Sequence, residues 1–379
     1  MKKFDLHSIE KRFLRICLSS RIFRKVYSGA MWILTNRQDH IIGYNNQLAY
    51  INKFRPFKSN VSCYTKRKFD IHNANDLDII IPVYNVSAYI VDCLNSILKQ
   101  KTKYKIKIIL IEDGSTDGSD QLIKQYENDP RVKIIYQSNQ GVSAARNRGL
   151  DYLDSAYVMF VDADDLLNDL ALNKLLDKAF EMDADIVEGG YFEFSEDNIL
   201  RNFNQQDNKN ANFTSLNGYP WGKVIKSEYF SNLQFPVGYL FEDTIFIFIL
   251  YRIVSKIVTI NDVVYKYRIN ELGLNISSKN NYSRIDSLWI TKLIIRDLPF
   301  FGIKKTQELY EVLLNQILIN GRRIFRLKPL ELQRAVFEVT AEKIRNNWQG
   351  IPVNPEFKQL EKALKTNNFY IYLLCCLSK

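Results

Sequence analysis

Three carboxylates fall within four positions, at Asp162, Asp164 and Asp165, directly after the apolar run Ala156-Tyr157-Val158-Met159-Phe160-Val161. Such a run reads as a buried strand. Carboxylates gathered at its end repel one another, and the repulsion costs stability unless a cation neutralises it. Hard divalent cations such as Mg²⁺ take one or two carboxylates together with substrate phosphates. The spacing admits two readings. One is a metal site that holds a phosphorylated substrate. The other is a helix start, with Asp164 or Asp165 as the cap before Leu166. Two further acidic pairs, Glu112-Asp113 and Glu242-Asp243, add candidates. All three histidines (His7, His40, His72) precede residue 77. Any general base in the remaining chain is therefore not histidine, and carboxylates are the default.

The elements that position these groups follow from hydrophobic patterning. Leu77 to Ile81 is an apolar strand ended by Pro82, and Lys105 to Ile111 is a second. Arg131 to Tyr136, Ala156 to Val161 and Ala184 to Tyr191 continue the series. Helices are expected between them, near residues 87–98, 118–127, 141–153 and 169–182. Strands alternating with helices imply a mostly parallel sheet covered on both faces, an α/β fold. In such sheets ligands bind beyond the carboxyl ends of the strands, where the acidic groups lie. Arg201 to Asn212 is polar and reads as a loop. From about Tyr282 onward the pattern is mainly helical, and the apolar tail Phe369 to Leu377 is expected to dock into the core.

Charge divides the chain. Residues 1–76 hold 15 Lys/Arg and 5 Asp/Glu, whereas residues 77–379 hold 37 of each. The first block is thus a basic N-terminal extension. Its amphipathic pattern from Lys11 to Tyr27 suits an anionic membrane surface or packing on a neighbouring domain. Nucleic acid is a weaker expectation. No apolar run reaches the roughly 18 residues needed to span a bilayer. Five cysteines without C-x-x-C spacing point to a reducing compartment, hence a cytoplasmic protein, peripheral on the membrane if the basic block binds there.

Four segments in order carry a resemblance: Ile81-Pro82-Val83-Tyr84-Asn85, Glu112-Asp113-Gly114-Ser115-Thr116-Asp117, Gly141-Val142-Ser143-Ala144-Ala145-Arg146-Asn147-Arg148-Gly149 and Asp162-Ala163-Asp164-Asp165. Together they resemble the family 2 glycosyltransferases, strongly over residues 77–190 and, through Trp221-Gly222-Lys223 and Glu242-Asp243, to about 270. The resemblance implies a GT-A fold at 77–270, with a nucleotide-sugar half (77–190) and an acceptor half (191–270), followed by a helical region (271–379). It implies an inverting transfer of a hexose or N-acetylhexosamine from a UDP-sugar to a saccharide or lipid-linked saccharide, in surface polysaccharide or glycoconjugate synthesis. It implies Mn²⁺ or Mg²⁺ on Asp164 and Asp162, with Asp165 left as a helix cap. Pro82, Val83, Tyr84, Glu112, Asp113, Arg146, Asn147, Asp162 and Ala163 are implied to surround the donor. The pair Glu112-Asp113 departs from the usual two aspartates, which leaves open which of them faces the base. Asp243 is implied as general base, Glu242 as its orienting partner, and Trp221 and Lys223 as acceptor contacts, with core packing the other reading for Trp221 and phosphate contact for Lys223.

Two other classes compete. A nucleotidyltransferase making nucleotide sugars would want a Gly-rich basic loop after the first strand, where Pro82-Val83-Tyr84-Asn85 stands instead. A non-catalytic module binding sugar nucleotides would not need Asp162, Asp164 and Asp243 together.

Overall fold

The structure is a computed structural model, and it describes residues 43–68, 74–195, 198–270 and 281–378. The basic amphipathic pattern of residues 11–27 and all three histidines lie outside the described residues.

After helix α1 (Tyr44–Asn52) the chain alternates through β1 (Asn75–Val83), α2 (Ile90–Leu98), β2 (Ile106–Glu112), α3 (Ser119–Lys124), β3 (Val132–Tyr136), α4 (Val142–Leu150) and β4 (Ser155–Phe160). The short β5 (Leu166–Leu167) and α5 (Ala171–Met182) follow, then β6 (Ile186–Ser195), β7 (Asn198–Phe203), β8 (Lys223–Lys226) and β9 (Ile257–Arg268). The strands form one sheet in the order β3-β2-β1-β4-β8-β6-β9-β5, with β7 also on β6. The first four are mutually parallel, with Ile81 opposite Leu110 and Ile80 opposite Phe160. Parallel strands are buried on both faces, which is why Ile79, Ile80, Ile81, Ile109, Leu110 and Ile111 are all inaccessible to solvent. Beyond β4 the sheet turns mixed. β8 is antiparallel to both β4 and β6, so β6 runs in the same direction as β4. The fold is the expected α/β, GT-A-type arrangement. The segment read as a polar loop from Arg201 begins as β7, whose residues are all exposed and pair with Tyr191–Ser195. Alternating polarity was absent there because neither face of β7 is buried.

The described chain forms two compact units. One holds the whole sheet and comprises 59–68, 74–195, 198–270 and 292–303. Residues 59–68 join it through Tyr64, bridged to Leu233, and through Thr65 and Arg67, whose N–H groups donate to Asn232 and Ser231. The described part of the basic block, residues 43–68, is divided between the two units near Lys58.

The other unit comprises 43–58, 281–291 and 304–378. It contains α1, the start of α6 (Asp286–Asp297), α7 (Gln307–Ile324), α8 (Leu330–Asn347), α9 (Lys358–Lys365) and α10 (Phe369–Ser378). Fully buried Asp286 receives a two-pronged ion pair from Arg55, at 2.6 and 2.7 Å. The apolar tail docks as α10, burying Phe369, Tyr372, Leu374 and Cys376. Gly321 on α7 allows this, because a Cβ there would collide with Cys376 Sγ and the Tyr372 ring. Among the described residues no helix is long and apolar enough to cross a membrane.

Candidate active site

The loops after β1 and β2 are stitched together at the carboxyl edge of the sheet. Asn85, in the left-handed region at φ 51°, accepts from Thr116 N through its side chain and donates its own N–H to Ser115 Oγ. Asn tolerates that backbone better than most residues. Asp117 accepts from Ser87 N at 2.8 Å and from both Ser119 N and Oγ. Partial burial opposes its charge, but these bonds win and hold its carboxyl down at about 2. The frame leaves Tyr84 about half exposed, at 47%, with its ring on the surface, while Val83 behind it is fully buried and Pro82 partly so.

Glu112 and Asp113 face different tasks. Glu112 accepts from Gly114 N and Ser115 N and shapes the turn after β2. Asp113 accepts from Gln137 Nε2, Gln140 N and Gly141 N, at 2.7 to 2.8 Å, and so anchors the entry to α4. A carboxylate has about four acceptor positions, so these three bonds occupy most of buried Asp113.

On α4 the two expected donor contacts separate. Asn147 clamps Phe235: its Nδ2 donates to Phe235 O and its Oδ1 accepts from Phe235 N, both at 2.8 Å. Its amide thus spends one N–H and one lone pair on the loop, with one of each left. Replacing Asn147 with Ala should free that loop and destabilise the protein by about 1–3 kcal/mol, read by urea unfolding. A change below about 0.5 kcal/mol would show that the clamp is not formed in solution.

Arg146 is buried, and its guanidinium bridges two halves of the site. Nη2 donates to Asp162 Oδ1 at 2.8 Å and Nη1 to Glu242 Oε1 at 2.5 Å. Burial works against its charge, but Asp162 and then Glu242 more than offset this and raise its pKa. Glu242 and Asp243 end the loop that begins at Phe235, and Phe241 before them adopts φ 67°. Left-handed backbone at a bulky residue is strained, and such strain clusters at functional sites.

The Asp162–Asp165 segment is held from β9. Tyr265 Oη accepts from Asp162 N at 3.1 Å and donates to Asp165 Oδ2 at 2.8 Å. Arg268 N donates to Asp165 Oδ1, and Arg268 Nε to Asp164 O. Asp165 is fully buried, and α5 does not start until Ala171. It is not a helix cap: it ties the segment to β9. Burial first, then Asp164 and Asp162, push its pKa well up. Asp164 is raised to about 6, by burial and by Asp162. Ala163 between them is buried. Tyr265 and Arg268 escaped the sequence reading because nothing local links them to a segment 100 residues away.

Trp221 and Lys223 are placed out of an acceptor's reach. Trp221 is 1% exposed, with Tyr219 stacked on one side at 4.4 Å and Tyr265 at 4.4 Å. Both ring faces are covered, so neither can carry a sugar. Lys223 is fully buried and ion-paired to fully buried Glu188 at 2.5 Å.

Residues 78–241 match the family model described as glycosyl transferase family 2. Glycosyltransferase GlyG of Streptococcus pneumoniae serotype 4 is 34% identical over 212 residues, which are 51% of this chain and 70% of GlyG. The chain belongs to glycosyltransferase family 2. Glycosyltransferase GlyA of the same organism is 31% identical over 320 residues, 76% of this chain, and the chain spans 45% of GlyA's length. Among solved structures, S. aureus TarS 1-349 in complex with UDP-GlcNAc superposes with a TM-score of 0.52 at 18% identity, covering 80% of this chain and 90% of that one. That likeness shows the glycosyltransferase fold. Family 2 members generally use a divalent cation.

Proposed function

We propose that this chain moves a hexose or N-acetylhexosamine from a UDP-sugar to a hydroxyl of a saccharide acceptor, free or lipid-linked, with inversion, in the assembly of a surface polysaccharide or glycoconjugate. The observation that carries the reading is the Arg146 bridge, which brings the Asp162–Asp164 segment and the Glu242-Asp243 loop to one point beyond the sheet.

Asp162 and Asp164 suit Mg²⁺ or Mn²⁺. They are hard oxygen donors, and Asp162 keeps one oxygen outside its ion pair with Arg146. Burial, and then Asp162, raise the Asp164 pKa, and a bound cation would offset both. Among the described residues no group of three or more His, Cys, Asp or Glu forms a closed cage. Two carboxylates completed by substrate phosphates is how Mg²⁺ is usually held. The bound cation would stabilise the diphosphate as it leaves. Tyr84 offers its ring to the base, and the acceptor capacity left on Asp113 suits the imide N–H of uracil. UDP-GlcNAc bound by TarS supports the same donor class. Asp243 takes the acceptor hydroxyl's proton as the bond forms, while Glu242, fixed by Arg146, orients that loop. One hydroxyl attacking directly, with no enzyme nucleophile, inverts the anomeric centre.

The test is thermal unfolding with a panel of nucleotide sugars and Mn²⁺ or Mg²⁺, followed by donor hydrolysis. A UDP-sugar at about 100 times its Kd should stabilise the protein by about 2.7 kcal/mol. EDTA should abolish the shift and the hydrolysis. Binding and turnover that survive EDTA would remove the cation from the reading, and no response to any UDP-sugar would remove the donor. The basic residues 1–76 are proposed to touch anionic membrane. The full chain should float with anionic liposomes at low salt and not at high salt.

A further inference from the structure

A cavity of about 260 Å³ opens between β6, the end of β7 and residues 215–217. Its lining includes Tyr191, Phe203, Asn204, Gln205, Ser215 and Asn217. Its height on the sheet can be read from the register. Val158 on β4 stands opposite Ile225, and Ile225 opposite Ile186 on β6. Because β6 runs parallel to β4, Gly189 and Tyr191 of the cavity lie past Ile186 in the same direction in which β4 leads to the Asp162–Asp165 segment. Tyr191 of its wall is paired in register with Tyr265, which holds Asp162 N.

The wall is built at some cost. The fully buried Glu188–Lys223 pair sits behind it. Isolated buried ion pairs rarely add stability, so their placement asks for a reason. Glu188 Oε1 accepts from Gln205 Nε2 and Asn217 N, and Lys223 Nζ donates to Asn217 O and Oδ1. The pair thus fixes both amide side chains and their orientations. Gln205 Nε2 also donates to Ser215 O, which leaves Gln205 Oε1 without a partner among the described residues. Asn217 Oδ1 also accepts from Tyr219 N, which leaves Nδ2 likewise. One acceptor and one donor of fixed geometry therefore stand on the wall. Beside them Phe203 is stacked on Tyr191 at 4.4 Å and remains 37% exposed.

Aromatic faces paired with fixed amides match a pyranose ring, which has one C–H-rich face and a rim of hydroxyls. The volume is below that of pockets for drug-sized ligands and suits a single ring. We propose that this cavity is an acceptor subsite that binds one sugar unit, stacked on Phe203 and hydrogen-bonded to Gln205 and Asn217. Glu188 and Lys223 are its positioning residues. The proposal rests on the glycosyltransfer reading and names where the acceptor lies. It also gives the buried Lys223 a role: it sets the subsite without touching the sugar.

Saturation-transfer NMR of the full chain with methyl glycosides of glucose, galactose, N-acetylglucosamine and N-acetylgalactosamine tests this, with UDP and Mn²⁺ binding measured on the same samples by calorimetry. At least one glycoside should bind the wild type. Phe203→Ala and Asn217→Ala should each weaken it about tenfold, the loss of a stacking face or a fixed donor. Both should keep wild-type UDP affinity. No glycoside signal in the wild type, or undiminished signals in both variants, overturns the subsite. Absent UDP binding with a glycoside signal that the variants lose would instead remove the donor reading and leave the subsite standing.

Discussion

Asp243→Asn is expected to leave UDP binding intact and to slow sugar transfer by roughly 100- to 10,000-fold, the usual range for losing a general base. The amide keeps the size of the carboxylate and removes its proton affinity. Donor contacts should not change, because the Asp162 and Glu242 contacts to Arg146 are made without Asp243. Donor hydrolysis by water, which is less dependent on an oriented base, should fall by less than transfer does. The measurement is the transfer rate under saturating donor beside a UDP titration. Transfer at a near wild-type rate would move the base to another group.

Asp164→Asn should cost about three orders of magnitude or more in cation-dependent turnover, since a metal clamp supplies several kcal/mol of charge stabilisation. It should also make the cation-free protein more stable. The folded pKa of Asp164 is raised from 3.8 to about 6 by burial and by Asp162. A raised carboxyl favours the folded state only while it is protonated. That contribution is complete below about pH 4 and is lost as pH rises through about 6, so at pH 7 the wild type carries the full penalty. A shift of roughly two units corresponds to about 1–3 kcal/mol after allowing for partial exposure. Without cation, the variant should therefore unfold at a higher temperature at pH 7 and gain little at pH 4. Added Mn²⁺ should stabilise the wild type and not the variant. A variant less stable at pH 7 in EDTA would show that Asp164 is already neutralised by the protein.

The β1–β4 part of the sheet was legible because its signals are local. Ile79-Ile80-Ile81 and Ile108 to Ile111 are continuous apolar runs, as strands covered on both faces require. The carboxylates at their ends fall at the carboxyl edge of the sheet. Asp165 was misread for the opposite reason. A carboxylate just before Leu166 looks the same whether it caps a helix or reaches Tyr265 across the sheet. Lys223 and Trp221 show a similar limit. The resemblance alone assigns both to the acceptor. Only the tertiary structure reveals Glu188 on the next strand and Tyr219 and Tyr265 around the indole. β7 carries no burial pattern at all, so no periodicity could announce it.

The Arg146 bridge also bears on how acceptor preference can be re-engineered in this family. One guanidinium is shared by α4 and the loop from Phe235 to Asp243, and Asn147 on the same helix clamps that loop's first residue. A chimera that imports residues 235–243 from a relative without its own α4 would strand a buried cation and break the clamp together. Residues 204–217 are tied instead to the buried Glu188–Lys223 pair through Gln205 and Asn217, so an exchange there must keep both amides.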